Sequence, residues 1–139
     1  MSDSTPQVDT AEVTPTTVVE EAVRAAQQGR IVIETLMWTL AASHLFVGTP
    51  DQPESDGRIT GTYIVTNEQG LNFLPIFTRP ELAQDFFANS YAVVAEVAVL
   101  IATLPPNTGI VLNPGQELGG EFSAESIKQL KGELRLPPR

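Results

Sequence analysis

The sequence predicts an α/β (α+β) fold, a single small sheet with helices packed on it. Three observations carry this expectation. Two Thr-x-x-Glu capping boxes, Thr17 to Glu20 and Thr78 to Glu81, each open a run of apolar residues at helical spacing, and Ser123 opens another. Short runs rich in Val, Ile, Tyr and Phe alternate with these helical segments. Between the runs stand Asn-Glu-Gln-Gly at 67–70, Asn113-Pro114-Gly115 and Gly119-Gly120, which are turn chemistry. A chain of 139 residues suits one domain.

Residues 1–16 are rich in Ser, Thr, Pro and Asp, lack Lys and Arg, and show no apolar period, so a disordered tail is expected there and the domain proper over 17–136. Thr17 caps a first helix whose apolar face is Val18, Val19, Ala22, Val23 and Ala26; Glu20 and Glu21 complement its dipole, and Gly29 fits the C′ position. A second helix is expected over about 31–42, apolar on most sides, although Ile31-Val32-Ile33 also fits the start of a strand. A strand at 44–47 and a polar loop at 49–61 follow, then strands at 62–66 and 72–77 paired as a hairpin across residues 67–70. Pro75 inside the second of these implies an edge strand or a bulge.

Residues 71–87 are the clearest unit: a strand turning directly into a helix over about 79–89. Thr78 is its expected N-cap, Phe77 and Leu82 its hydrophobic staple, Pro80 its first-turn residue, and Leu82, Ala83, Phe86 and Phe87 its buried face. Residues 91–94 fit a strand, after which Val94, Val97, Ala98, Ile101 and Leu104 recur at helical spacing up to Pro105-Pro106. A strand at 109–112 ends in Asn113-Pro114-Gly115. Ser123 then caps a last helix, with Phe122 and Ile127 as staple and Ile127, Leu130 and Leu134 as its apolar stripe.

Composition bounds the function. A net charge of −9 and a pI near 4.4 argue against nucleic acid and anionic membranes, which need a concentrated cationic face. With no cysteine, disulfides, thiolate metal sites and thiol nucleophiles are excluded. The most apolar window, 31–47, carries Glu34, Thr35, Thr39, Ser43 and His44 and is barely long enough to span a bilayer, so no membrane insertion and a cytoplasmic setting are expected. His44, the sole histidine, reads as a hydrogen-bonded structural residue, with no Gly-x-Ser-x-Gly elbow to accompany it. Asp51, Glu54 and Asp56 miss the calcium-loop spacing, and the glycines at 109, 115, 119 and 120 miss that of a phosphate cradle. Glu96 reads as water-facing on an otherwise apolar helix. No catalytic residue, metal ligand or cofactor is therefore expected. The candidate interaction surface is Trp38 on the apolar second helix, together with Asn113, Pro114 and Gly115 beside Leu118 and Phe122. The expected occupant is a protein partner or a second copy, with a small molecule as the alternative.

Two stretches, LPIFTRPELAQDF at 74–86 and TLPPNTGIVLNPGQELGGEFSAESIKQL at 103–130, resemble the SseB N-terminal domain family. There an apolar strand ends in a Pro-x-Phe-Thr-Ser run before a helix, and a later Gly-x-x-Leu-Asn-Pro strand and turn precede the last helix; Arg79 stands here where Ser is usual. The resemblance implies an SseB-like α/β domain without catalytic residues to carry over. The family's name, from an enhancer of serine sensitivity, implies amino-acid or other small-molecule sensing as the alternative to protein binding. Many members carry a second, C-terminal domain, which this sequence does not contain.

Overall fold

A computed structural model describes residues 17–50, 62–88 and 90–133. Helices α1 (Val18–Gln27) and α2 (Ile33–Ala41) lead into strand β1 (His44–Thr49), followed by β2 (Val65–Thr66) and β3 (Asn72–Ile76). Helix α3 (Pro80–Phe86), strand β4 (Tyr91–Glu96), helix α4 (Val97–Thr103), strands β5 (Thr108–Leu112) and β6 (Gly120–Phe122) and helix α5 (Ala124–Glu133) complete the order. The mixed helix-and-strand class is the one expected, but the sheet is in two parts. β1 and β4 form an antiparallel pair, and β2-β3-β5-β6 form a four-stranded sheet with β3 and β5 parallel. Reciprocal backbone hydrogen bonds between Phe46 and Phe77, of 2.9 and 2.8 Å, join the two parts.

This join explains a departure from expectation. Pro75 lies in β3, which has partners on both sides, rather than in an edge strand or at a bulge. On one side of β3, the carbonyl of Ile76 accepts from Asn113 beyond β5; on the other, Phe73 pairs with β2 and Phe77 with β1. Pro75 shares that second side and falls in the gap between β2 and β1, so its missing N–H deprives no partner.

Alternation along the strands sorts two packing layers. Leu45, Val47, Leu74, Ile76, Ile110 and Leu112 pack with Val19, Val23, Leu36, Leu40, Ile101, Ile127 and Leu130 of four helices in one core. The intervening residue Phe77 meets Phe86 and Phe87 of the α3 end, and Tyr63 stacks on Phe87 at 4.3 Å between ring centroids. Gly48 is required there, because a Cβ would lie 2.7 Å from the Phe87 ring, and β1 accordingly runs through Gly48 to Thr49. Gly109 is tighter still: a Cβ would lie 2.4 Å from the Phe122 carbonyl oxygen, a backbone atom. Gly109→Ala is expected to cost about 2 kcal/mol or more by prying β6 from β5, measurable by urea unfolding.

Several local signals hold. The Thr17 hydroxyl accepts from the Glu20 N–H at 3.1 Å. Helix α1 closes in a Schellman motif, with Arg30 N–H on Ala25, Gly29 N–H on Ala26, and Gly29 at φ +74°. Asn67 organises the β2–β3 turn by accepting from the N–H groups of Gln69 and Leu71. Ser123 caps α5 through the Ser126 N–H, and its staple residues Phe122 and Ile127 are both buried.

Others do not. β2 is shorter than expected, since only Val65 and Thr66 pair with β3. Residues 91–96 are all strand, and α4 starts at Val97. Gly120, read as turn, instead opens β6, which runs to Phe122. Val18 is exposed, and of the expected α3 face only Ala83 is fully buried. Thr78 is not the N-cap of α3; Arg79 holds that position without a side-chain cap, so Phe77 and Leu82 no longer occupy the staple positions. The predicted tail 1–16, Asp51, Glu54, Asp56, Asn89 and Leu134 lie outside the described residues.

Candidate functional site

The Thr78 hydroxyl is drawn away from capping by a buried polar network. Glu20, on the same side of α1 as Val23, is 2% exposed. Its carboxylate accepts from the Thr78 hydroxyl at 2.6 Å and from Nε and Nη2 of Arg79 at 2.9 and 2.8 Å. Asn113, also 2% exposed, lies across Thr78. Its Oδ1 accepts from the Thr78 N–H at 2.9 Å, while its Nδ2 donates to the Thr78 hydroxyl at 3.0 Å and to the Leu118 carbonyl at 2.8 Å. The residue takes a left-handed φ of +47°, which Asn tolerates better than most side chains.

This network ties α1, the β3–α3 junction and the turn after β5 into one unit. Glu20's hydrogen bond and then its charge push Arg79 further towards its charged form. Nearby, Arg24 pairs with Glu117 and Gln27 donates to the Glu117 carbonyl at 2.8 Å, so the 113–118 loop is pinned to α1. The hollow bordered by Glu20, Arg79, Asn113 and Leu118 is only about 80 Å³. The network is therefore a structural lock and leaves little room for a ligand.

The candidate surface divides accordingly. Asn113, Leu118 and Phe122 are interior rather than surface residues, because the loop folds back under the network and Phe122 packs in the core. Pro114 is half-buried and Gly115, at φ +80°, is exposed; both sit at the turn without joining a cleft among the described hollows. Trp38 remains on the surface at 44% exposed. It does meet Phe122 in one place, a groove of about 440 Å³ between α2, β6 and α5. Met37, Phe122 and Leu130 contribute its apolar floor, and Ile33, Trp38, Glu34, Glu121 and Glu133 also line it. A second, shallower hollow lies on the other side of Trp38, between Val18 and Thr39, making the indole a ridge.

His44 is exposed at the start of β1, in register with Glu96, and makes no hydrogen bond among the described residues, unlike the structural histidine expected. Glu96 is exposed as expected, but from a strand end. Among the described residues no cluster of three or more His, Cys, Asp or Glu side chains could hold a metal ion, and no helix is long and apolar enough to cross a membrane.

The residues that carry the lock, Glu20, Thr78 and Arg79, were readable only as helix-end chemistry. The available signals were a carboxylate on the apolar side of α1 and an Asn directly after the apolar run 109–112.

Fold and site together define a small α+β domain whose helix α1 and two turn motifs are fastened by a buried Glu–Thr–Asn–Arg network. The model of the SseB protein N-terminal domain matches residues 19–129, and the chain belongs to that family. That span contains every residue of the network, and every residue of the groove except Leu130 and Glu133. Neither a curated protein nor a solved structure gives a match.

Proposed function

We propose that the domain is a non-catalytic, cytoplasmic interaction module that seats an apolar, basic segment of a partner protein in the Trp38 groove. The observation that carries this reading is Trp38 itself, a large aromatic side chain left 44% exposed on a helix whose other face is core. Tryptophan in such a position is the residue type that most often dominates binding energy at an interface. Val32 and Ile33 extend the exposed apolar surface along α2. Three carboxylates, Glu34, Glu121 and Glu133, line the groove, which favours a cationic segment and disfavours a second copy of a chain carrying −9.

Because Trp38 is 44% exposed, Trp38→Ala is expected to leave the fold intact, with only a modest drop in the melt, and to weaken capture of the partner by about tenfold or more. The charge reversal Glu34→Lys/Glu121→Lys is expected to weaken it likewise, while Leu71→Ser, an exposed site outside the groove, leaves it intact. Capture that survives both groove variants in folded protein contradicts the proposal.

A further inference from the structure

We propose that the cleft between α4, the turn at residues 105–107 and α5 binds a small carboxylate carrying an apolar body. The chain's two lysines, Lys128 and Lys131, both line this one cleft. They lie three residues apart on α5, on the same side of the helix. Elsewhere the described cations are otherwise engaged: Arg24 with Glu117, Arg79 with Glu20, and Arg30 with Gln28. Lys128 and Lys131 make no hydrogen bond or ion pair among the described residues. Glu125 also lines the cleft, so the local balance is two cations to one anion in a molecule of net charge −9.

The wall supplies the rest of the chemistry. Ile101, Leu104 and Ile127 give buried apolar surface at a cleft of about 330 Å³, a volume that suits a small ligand. Thr108 lines it too and is 5% exposed, yet the one hydrogen bond of its hydroxyl runs to its neighbour Pro106 and is long, at 3.4 Å. A buried hydroxyl so weakly satisfied calls for a better acceptor. A carboxylate oxygen is such an acceptor: it would accept a hydrogen bond from the Thr108 hydroxyl while the two ammonium groups neutralise its charge. The apolar body of the ligand would cover the Ile101–Leu104–Ile127 surface. This site lies apart from the Trp38 groove and involves none of the residues that the docking proposal uses, except that both draw on α5.

The test is an amide-resolved NMR titration of the whole chain with hexanoate and phenylacetate at constant ionic strength, each against its neutral amide. Saturable shifts are expected at residues 101–104, 107–108 and 124–131, with the amides binding about tenfold or more weakly. Lys128→Met/Lys131→Met, at exposed positions that leave the melt unchanged, is expected to lose about tenfold in affinity for the carboxylates and little for the amides, and Thr108→Val to weaken both, since either ligand's oxygen accepts from the hydroxyl. No saturable shift at roughly 10 mM, equal binding of acid and amide, or unchanged affinity in the double lysine variant overturns the proposal.

Discussion

Asn113→Asp is expected to be among the most destabilising single substitutions in this domain. The change keeps the oxygen that accepts from the Thr78 N–H but removes both donors, leaving the Leu118 carbonyl without its 2.8 Å partner. It also sets a second carboxylate against the Thr78 hydroxyl, which already donates to Glu20 at 2.6 Å. Two buried carboxylates around one hydroxyl repel, and a lost partner leaves a buried polar group at its full desolvation cost. The sum is about 4 kcal/mol or more, a large share of the stability of a small domain. Asn113→Ala removes all three bonds, the acceptor of the Thr78 N–H included, without adding charge, and places a non-polar side chain at φ +47°, for about 3 kcal/mol. Asn113→Gly relieves that backbone strain and is expected to recover about 1 kcal/mol of the loss. Urea unfolding should rank the variants Gly, Ala, Asp in increasing damage; an Asp variant as stable as the parent would refute the lock.

Arg79→Met is the second large effect, and it is expected to be unequal to its counterpart Glu20→Gln. The Glu20 side chain is 3% exposed and that of Arg79 is 36% exposed. Removing the arginine takes two charged hydrogen bonds from a buried carboxylate, at a cost of about 3–5 kcal/mol. Glu20→Gln leaves instead a guanidinium that water can reach and an amide oxygen that can still accept from Thr78, for about 1–2 kcal/mol. The Arg79→Met variant should also acquire a pH dependence. Without its cation, burial favours the neutral Glu20 carboxyl and raises its folded pKa above the unfolded value of about 4.3. That contribution to stability is complete below about pH 4.3 and is lost as pH rises through the raised folded pKa. Chemical unfolding of Arg79→Met between roughly pH 4 and 8 should therefore show a progressive loss relative to the parent. Adding Glu20→Gln to Arg79→Met should restore part of the stability, because the stranded charge is gone. An additive double variant contradicts the coupling.

Much of the fold was legible because local chemistry and tertiary structure agree. The Thr17 and Ser123 caps, Gly29 beyond α1 and the Asn67 turn each satisfy nearby backbone groups, so a few consecutive residues suffice to read them. The failures arise where distant residues compete for a local group. Thr78 and Glu81 have the pattern of a capping box, but Glu20, 58 residues away, and Asn113 take the hydroxyl instead. Pro75 marks an edge by local rules, whereas the long-range placement of β2 and β1 opens a gap for it inside a sheet. The same applies to the site. Asn113, Leu118 and Phe122 sit among glycines and prolines and read as a presented loop, but their burial depends on contacts with Thr78, α1 and the core. The exposure of Trp38 was legible only because α2 is apolar beyond what one core contact can use. The lysine cleft had a compositional signal, two lysines three apart in an acidic chain, but the turn and helix that complete it are far from them in sequence.

Site-specific photo-cross-linking tests the docking surface most directly. p-Benzoylphenylalanine is placed at position 38 or, as a control, at exposed position 71, and irradiated in the native cells. Position 38 is expected to give a discrete cross-link to another protein at an apolar segment bearing Lys or Arg. The cross-link should disappear when Glu34→Lys/Glu121→Lys is added, while position 71 gives none. Equal cross-linking from both positions, or a cross-link from position 38 only to a second copy of the chain, would contradict the proposed docking surface.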